Sequence, residues 1–411
     1  MTIRMLAASL LLAAPLVAGC RTDESLASPD LSNNGGLLTR YVAMGNSITA
    51  GFQSAGINDS TQQRSYAAVF ARQARAPYFY ASLNLPGCPA PLTSNTAQTR
   101  VGNQPPTAPC ALRAQDRFPF LSNVAVPGAN VADALSNTDP GAAPNALTTF
   151  ILGGRSQVQA MADADPTFVT VWLGNNDVLA SLTNSANPGN PTLVTPTAAF
   201  EAAYTKVLDS ISATNPAAKA VLFGVADVTA TPYVSTGTLY FCLKNGVCPG
   251  VPQAPFPPNF TVNANCAPAA LGGLGDAVLI PWTVGVVRIL QAAQGLPGTV
   301  DCSVDTDVVT ASEHDVIHAA VTGYNAFIQA QAAARGWPYI DITSMLLGYK
   351  AQGAIPLFPT LPTAPGQSVT FGPLFSLDGV HPSSAAHRII ADSLIAAVNR
   401  TYGTSIPFAG P

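Results

Sequence analysis

Charged residues are scarce in this 411-residue chain, in which Asp, Glu, Lys and Arg together make up 10%. The 18 Lys and Arg residues are scattered and are outnumbered by 22 Asp and Glu residues, giving a formal net charge of −4. Proteins that bind the nucleic-acid backbone concentrate basic residues in a patch, so this balance argues against nucleic acid as a partner. Hydrophobic residues, at 48%, suffice for a sizeable core and exclude a disordered chain. We expect one elaborated domain over residues 37–411.

Long hydrophobic runs are lacking, apart from one at the N-terminus. Residues 5–17 form an apolar run that follows Arg4 and is too short to span a bilayer. The sequence VAGC at positions 17–20 resembles the lipobox of bacterial lipoproteins, in which the cysteine is lipidated. We therefore predict a signal peptide over 1–19, a lipid anchor on Cys20, and a polar tether over 20–36. An ordinary secretory signal with an incidental cysteine is the alternative.

Export predicts both a location and a redox state. A lipid anchor would hold the protein on the periplasmic or cell-surface side of a membrane, with the outer membrane favoured. That compartment is oxidising, so we expect the cysteines other than Cys20 to form three disulfides. They lack the Cys-x-x-Cys spacing typical of zinc sites. Many pairings are possible, and we predict nearest-neighbour pairing because each bond would then close one irregular segment: Cys88 with Cys110, Cys242 with Cys248, and Cys266 with Cys302.

Short apolar segments and helical patterns alternate along the chain. Five segments rich in Val, Ile, Phe and Tyr predict buried strands: Arg40–Met44, Leu121–Val126, Phe168–Leu173, Ala220–Val225 and Trp337–Ile342. Helical spacing is clearest over three stretches: Tyr66–Ala74, Ala198–Ser212 and His314–Ala334. A last helix is predicted to start near Ser383. This alternation predicts an α/β fold with a parallel sheet covered by helices on both faces.

Three irregular segments interrupt the alternation, at about 77–119, 233–301 and 347–373, and the first two contain most of the cysteines. Ligands in open α/β sheets bind at the carboxyl ends of the strands. The second and third segments follow such ends, so we expect them to form walls of a pocket. The first precedes a strand, and we expect it to be structural.

Polar motifs follow several predicted strands or precede the last helix. Each is weak alone, because Gly and Asn are ordinary turn residues. Their order would gather a serine, backbone and amide donors, and an Asp/His pair at one edge of the sheet. The motifs are Gly45-Asn46-Ser47, Val126-Pro127-Gly128-Ala129-Asn130, Gly174-Asn175-Asn176-Asp177 and Asp378-Gly379-Val380-His381-Pro382.

This ordered set resembles the SGNH (GDSL-type) hydrolases, which are serine esterases and lipases with a flavodoxin-like, three-layer α/β/α fold. The resemblance extends from Leu38 to about Arg400. It implies that Ser47 is the nucleophile, that His381 is the base with Asp378 beside it, and that an oxyanion hole is formed by the N–H of Ser47, the N–H of Gly128 and the amide of Asn176.

The chemistry of these residue types agrees with the resemblance. A serine hydroxyl needs an imidazole of the correct tautomer to remove its proton, and Asp378 can fix the tautomer of His381. Donors held in advance stabilise the negative charge that attack places on the carbonyl oxygen. Asn46 stands where the family's first motif usually has Asp, so we expect altered electrostatics in this loop rather than lost activity.

Other residues allow different interpretations. His314 and His318 have the i, i+4 spacing of a zinc pair but lack the accompanying glutamate, and surface positions are the better interpretation. His387 lies in the last helix and is a weaker candidate for the base. Asp227 could line the pocket or cap a turn, and the turn is the better interpretation. Four aromatic residues of the second irregular segment could bind an acyl chain or form a small core of their own: Tyr240, Phe241, Phe256 and Phe260.

The sequence therefore predicts an exported carboxylic-ester hydrolase that forms an acyl-serine and needs no cofactor or metal. A phospholipase or acyltransferase, a thioesterase and a polysaccharide O-deacetylase would use the same residues. The expected substrate is a small-molecule, lipid or glycan ester, and oligomeric state is left open. A lipoprotein that binds glycan or lipid on a degenerate hydrolase fold is the non-enzymatic alternative, and a metallohydrolase centred on His314 and His318 is a third.

Overall fold

The computed structural model describes residues 36–105, 110, 113–114, 118–136, 141–142, 145–364 and 366–410. The predicted signal peptide, Cys20 and all of the tether except Gly36 lie outside the described residues. Within them, no helix combines the length and apolar character needed to cross a membrane.

Strands and helices alternate as predicted. The strands in the described residues are β1 (Tyr41–Gly45), β2 (Leu92–Ser94), β3 (Thr99–Arg100), β4 (Phe168–Trp172), β5 (Lys219–Phe223), β6 (Val234–Thr236), β7 (Phe260–Val262), β8 (Leu279–Pro281), β9 (Gly298–Val300) and β10 (Tyr339–Ile340). The α-helices there are α1 (Ser47–Ala50), α2 (Asp59–Gln62), α3 (Tyr66–Gln73), α4 (Ala146–Leu152), α5 (Gln157–Ala164), α6 (Asn176–Leu182), α7 (Thr197–Thr214), α8 (Gly237–Asn245), α9 (Trp282–Ala293), α10 (Ala311–Arg335), α11 (Ile342–Ala351) and α12 (Ser384–Tyr402).

The central sheet contains four parallel strands in the order β1-β4-β5-β10. Side chains alternate between its faces because successive residues of a strand point in opposite directions. Val42, Val169 and Leu222 lie in one core cluster, which also contains buried residues of α5, α7 and α10. Tyr41, Phe168 and Val221 lie in another, together with buried residues of α3 and α12. The sheet is thus covered on both faces, which confirms the predicted three-layer α/β fold.

The predicted strand over 121–126 is not a strand in the structure. This segment lies parallel to β1, but among the described residues it forms isolated bridges rather than a ladder: Asn123 bridges to Ala43 of β1 and to Tyr80. The pairing is interrupted at Gly45, whose N–H donates to the side-chain oxygen of Gln157 at 2.9 Å. The Gln157 amide in turn donates to the Gly45 carbonyl at 2.8 Å. The Gly45 carbonyl also accepts the N–H of Val126 at 3.2 Å, but the Gly45 N–H that a fifth strand would need is bonded to Gln157. The sheet therefore has four strands rather than about five.

The three predicted disulfides are present: Cys88–Cys110, Cys242–Cys248 and Cys266–Cys302. The second irregular segment folds around two of them, with β6 antiparallel to β8 and β7 parallel to β9. Tyr240 and Phe260 are fully buried in its own core cluster, with Phe241 and Phe256 packed against them. The four aromatic residues thus form an internal core of this segment.

Candidate active site

The serine loop follows directly from the end of β1. Asn46 caps the one-turn helix α1, because its side-chain oxygen accepts the N–H of Ile48 at 3.1 Å. The helix ends at Ala50, and its C-cap residue Gly51 has a φ of 92°, in the left-handed region that favours glycine. Ser47 is therefore the first residue of a short, capped helix, and 7% of its surface is exposed. Asn at position 46 makes the local hydrogen bond that an Asp side chain would also make there.

Ser47, His381 and Asp378 form a continuous hydrogen-bonded chain. Nε2 of His381 lies 2.9 Å from Oγ of Ser47, although the two residues are 334 positions apart in the sequence. Nδ1 of the same ring lies 3.0 Å from Oδ2 of Asp378. With the Nδ1 proton donated to the carboxylate, Nε2 is the acceptor for the serine hydroxyl. The structure thus brings together the three side chains that sequence motifs had suggested.

The Asp378 carboxylate accepts several backbone hydrogen bonds in addition to that of the imidazole. Oδ1 accepts the N–H groups of Val380 at 2.9 Å and His381 at 2.8 Å. Oδ2 accepts the N–H of Ala55 at 2.7 Å. Burial alone would raise the pKa of Asp378, but the charge of His381 and these hydrogen bonds outweigh it and hold the pKa at about 2. The carboxylate is therefore ionised whenever the imidazole must be oriented.

The turn that supplies the Ala55 N–H has an uncommon backbone. Ser54 and Ala55 have φ values of 53° and 51°, in the left-handed region that non-glycine residues rarely adopt. The first irregular segment supports this turn, because Arg100 donates to the Ala55 carbonyl at 2.8 Å. Asn95 of the same segment donates to the carbonyl of Leu377, also at 2.8 Å. The first irregular segment is therefore structural, as predicted, and it supports the loop that contains Asp378.

The second irregular segment does not line the cavity beside Ser47, contrary to expectation. Most of its buried apolar side chains pack in its own core, and Nε1 of Trp282 donates to the Asp378 carbonyl at 3.2 Å. None of its residues lines the cavity. The third segment does line that cavity, through Tyr349 and Ile355. Only one of the two predicted pocket walls is therefore confirmed.

Two candidate oxyanion donors lie on loops next to the serine loop. Gly128 follows the segment that runs beside β1, and its φ of 86° favours glycine. Asn176 is the first residue of α6, just after the end of β4, which pairs with β1. Its Nδ2 donates to the Ala129 carbonyl at 2.8 Å, which joins the two loops and leaves its second amide hydrogen for another acceptor.

Asp177 also joins these loops, and sequence reasoning gave it no role. Its Oδ2 accepts the N–H of Val131 at 3.0 Å, while Oδ1 has no hydrogen-bond partner among the described residues. Burial raises the pKa of Asp177 to about 7, in spite of the hydrogen bonds that lower it. The sequence signal that could have indicated this role is the position of Asp177 directly after Asn176 in the same motif.

An apolar cavity of about 100 Å³ opens beside Ser47 and His381. Its walls come from the carboxyl ends of β4 and β5, from α11, and from the first turns of α12. Among the described residues that line it, no side chain is an Asp, Glu, Lys or Arg.

The other histidines occupy different places. His387 is fully buried, its Nδ1 accepts the N–H of Tyr66 at 3.1 Å, and burial together with the nearby His381 lowers its pKa to about 3. His314 contacts Thr229 at 3.1 Å and His318 contacts Asp227 at 3.3 Å. Asp227 caps a turn, as predicted, by accepting the N–H of Thr229 at 3.0 Å. In the described part of the chain, no three His, Cys, Asp or Glu residues are grouped to hold a metal ion.

Comparisons with known proteins identify relatives of the chain. A family model described as GDSL-like Lipase/Acylhydrolase matches residues 41–394. No curated protein matches the chain.

Solved structures that resemble the chain include three enzymes. An extracellular lipase from Streptomyces rimosus is 15% identical, with a TM-score of 0.38 over 87% of this chain and 98% of that one. A phospholipase A1 from Streptomyces albidoflavus NA297 is 15% identical, with a TM-score of 0.36 over 88% and 98%. A carbohydrate esterase family 3 protein from Talaromyces cellulolyticus is 13% identical, with a TM-score of 0.35 over 88% and 97%.

Proposed function

Because the chain belongs to the GDSL-like lipase/acylhydrolase family and is therefore a carboxylic-ester hydrolase, we propose that it is exported and cleaves acyl esters through an acyl intermediate on Ser47. One observation carries the assignment of the site. The hydroxyl of Ser47, the imidazole of His381 and the carboxylate of Asp378 are joined by hydrogen bonds of 2.9 and 3.0 Å. This is the arrangement that a serine nucleophile needs in order to lose its proton as it attacks.

Acylation follows from the positions of these groups. Oγ of Ser47 attacks the ester carbonyl carbon while its proton passes to Nε2 of His381. The imidazolium is stabilised by Asp378, and the negative charge on the carbonyl oxygen is stabilised by the N–H groups of Ser47 and Gly128 and by the Asn176 amide. The C–O bond to the alcohol then breaks, and His381 gives its proton to the departing oxygen. The products are the acyl-enzyme and the free alcohol.

Deacylation reverses these roles with water in place of the alcohol. Neutral His381 removes a proton from a water molecule, which attacks the acyl carbon. The same donors stabilise the second tetrahedral intermediate, and the protonated imidazole returns its proton to Oγ of Ser47. The acid product leaves, and the hydrogen-bonded chain is restored without any net change in the protein.

Export and anchoring rest on the sequence and on the cysteines. The VAGC sequence at positions 17–20 supports lipid attachment at Cys20. The three disulfides support an oxidising compartment, because such bonds are rare in the cytosol. A protein held in this way would act on esters at the periplasmic or cell-surface side of a membrane.

Replacement of Ser47 tests the catalytic assignment. Ser47→Ala should lower kcat for a nitrophenyl ester by about 10⁴-fold or more, since the members of such a triad act as a unit. Ser181→Ala is a matched control, because Ser181 on α6 is buried and its Oγ has no hydrogen-bond partner among the described residues. Retention of most of the activity by Ser47→Ala, with normal activity in Ser181→Ala, would overturn the assignment.

Metabolic labelling tests the anchor. Cells that express the full chain and are given radioactive palmitate should yield a labelled, membrane-bound protein. Cys20→Ala should abolish the label and leave the precursor unprocessed or release soluble protein. An unlabelled wild-type protein found only in the soluble exported fraction would instead support an ordinary secretory signal.

A further inference from the structure

The peptide bond between Pro127 and Gly128 is held by a side chain from the start of α4. Nδ2 of Asn145 donates to the Pro127 carbonyl at 3.0 Å. A Cβ atom added to Gly128 would lie 3.2 Å from the same Nδ2, so the Asn145 amide packs directly against this peptide. From this contact we infer that Asn145 is a positioning residue that aims the Gly128 N–H into the oxyanion hole. The inference rests on the proposed function, because it assumes that Gly128 is an oxyanion donor.

The planarity of the peptide bond links this contact to the N–H. In a trans peptide the carbonyl and the following N–H point in opposite directions and rotate together. A donor that fixes the Pro127 carbonyl on one side therefore fixes the Gly128 N–H on the other. Among the described residues, no acceptor is bonded to that N–H, and Gly128 is exposed. The N–H is thus available to the carbonyl oxygen of a substrate.

The turn around this peptide has a second conformation with the same ends. Ala129 donates its N–H to the Val126 carbonyl at 3.1 Å, which closes a four-residue turn. Because Gly128, the third residue, has a φ of 86°, the turn is of type II. A type I turn is compatible with the same residues and the same closing hydrogen bond, but its central peptide is rotated by roughly 180°. That rotation would turn the Gly128 N–H to the side where the carbonyl now lies.

The contacts at the ends of the turn do not select between these conformations. Val126 donates its N–H to the Gly45 carbonyl at 3.2 Å, and the Ala129 carbonyl accepts Nδ2 of Asn176 at 2.8 Å. Both contacts are made by groups outside the central peptide. Within the described part of the chain, the Asn145 amide is the only hydrogen-bond partner of that peptide. It therefore stabilises the type II form, and it also polarises the peptide and strengthens its N–H as a donor.

Asn145 has a second role, which a test must leave intact. Its Oδ1 caps α4 by accepting the N–H groups of Leu147 at 2.9 Å and Thr148 at 3.2 Å. Asp and Ser are also good N-cap residues, but neither places an amide hydrogen at the Pro127 carbonyl. Asn145→Asp thus keeps the cap, and its carboxylate repels that carbonyl. Asn145→Ser keeps the cap without adding a charge.

Asn190 provides a matched control for the change from Asn to Asp. Its side-chain oxygen caps the short helical turn Pro191–Leu193 by accepting the N–H of Thr192 at 3.0 Å. Its amide group donates to no other group in the described residues, so Asn190→Asp changes a cap without removing a donor. Guanidinium unfolding of each variant checks that the fold and the cap are retained.

The inference predicts a loss in kcat with little change in KM, because the Gly128 N–H acts on the charge that develops in the transition state. For a nitrophenyl ester, kcat should fall by about 10-fold or more in Asn145→Ser and by about 10²-fold in Asn145→Asp, with KM within about threefold of wild type. The acid limb of the rate profile of Asn145→Ser should keep its wild-type midpoint, because the Asp378–His381 pair is untouched. Asn190→Asp should keep the wild-type kcat.

A wild-type kcat in Asn145→Asp would overturn the inference, as would a rise in KM at unchanged kcat or a shifted acid limb in Asn145→Ser. If Asn145→Ser does not fold, kcat and KM of Asn145→Asp decide. Hydrolysis that depends on Ser47, together with full activity of Asn145→Asp, would refute the inference alone. No ester hydrolysis by wild type, or full activity of Ser47→Ala, would refute the proposed function and the inference with it.

Discussion

Asp378→Asn tests how the carboxylate controls the imidazole. The change keeps the size of the side chain but replaces one carboxylate oxygen by an NH₂ group. Oδ1 can still accept the N–H groups of Val380 and His381. The NH₂ group would then face two donors, namely the Ala55 N–H, 2.7 Å from Oδ2 in the wild type, and Nδ1–H of His381, 3.0 Å from it.

His381 can relieve this conflict only by changing tautomer. Nδ1 would then accept from the amide, and Nε2 would carry the proton and donate it toward Ser47. A protonated Nε2 cannot remove the serine proton, so kcat should fall by about 10⁴-fold, equivalent to about 5 kcal/mol in the activation free energy.

The same substitution should also reduce stability. The folded-state pKa of Asp378 is about 2, below the ordinary value of 3.8, so the ionised carboxylate stabilises the fold by about 2 kcal/mol above pH 4. This contribution is lost as the pH falls through about 2. The stability difference between wild type and Asp378→Asn should therefore be largest at neutral pH and shrink in acid.

Two measurements check this prediction. Steady-state hydrolysis of a nitrophenyl ester gives kcat, and guanidinium unfolding at pH 7 and pH 3 gives the stability difference. Asp227→Asn is the control, because Asp227 contacts His318 at 3.3 Å in a similar Asp/His pair outside the triad. The reasoning is refuted if Asp378→Asn retains more than about a tenth of the activity, or if Asp227→Asn loses as much.

Three further substitutions test supporting groups. Asn176→Ala should lower kcat about 10²–10³-fold with little change in KM, and unchanged kcat would remove Asn176 from the oxyanion hole. Because the folded-state pKa of Asp177 is about 7, wild type should lose stability as the pH rises from about 4 to 7. In guanidinium unfolding, the free energy of unfolding of Asp177→Asn relative to wild type should therefore rise by about 3 kcal/mol from pH 5 to pH 8. A difference that stays constant with pH would contradict this. Burial holds His387 neutral with a pKa of about 3, so its contribution to stability is present above pH 6.5 and is lost in acid. Between pH 7 and pH 4.5 the free energy of unfolding of wild type should therefore fall by about 3 kcal/mol more than that of His387→Met. Equal losses would show that His387 is not held neutral.

The sequence was a good guide to local structure and to the three residues of the hydrogen-bonded chain. The strands that were predicted correctly are short runs buried on both faces, such as Phe168–Trp172, whose composition alone is distinctive. The segment 121–126 has the same composition, but its pairing depends on Gln157, which lies about thirty residues away. No local pattern in either segment indicates that the Gln157 side chain would bond the backbone N–H of Gly45.

The contacts that hold the site were not predictable for the same reason. The Ala55 N–H reaches Asp378 across 323 positions of sequence, and the left-handed backbone at Ala55 has no glycine to indicate it. The rule that loops at strand ends form the pocket succeeded for the third irregular segment. It failed for the second, because two disulfides and a set of aromatic side chains give that segment a core of its own.

The central claim is that Ser47, activated by His381, becomes covalently acylated. A fluorophosphonate probe followed by mass spectrometry of the digested protein tests it most directly, because phosphonylation requires the same activated hydroxyl. We predict one adduct per chain, on the peptide that contains Ser47, absent in Ser47→Ala and strongly slowed in His381→Ala. An adduct on a different residue, or ester hydrolysis by a protein that the probe never modifies, would contradict the account.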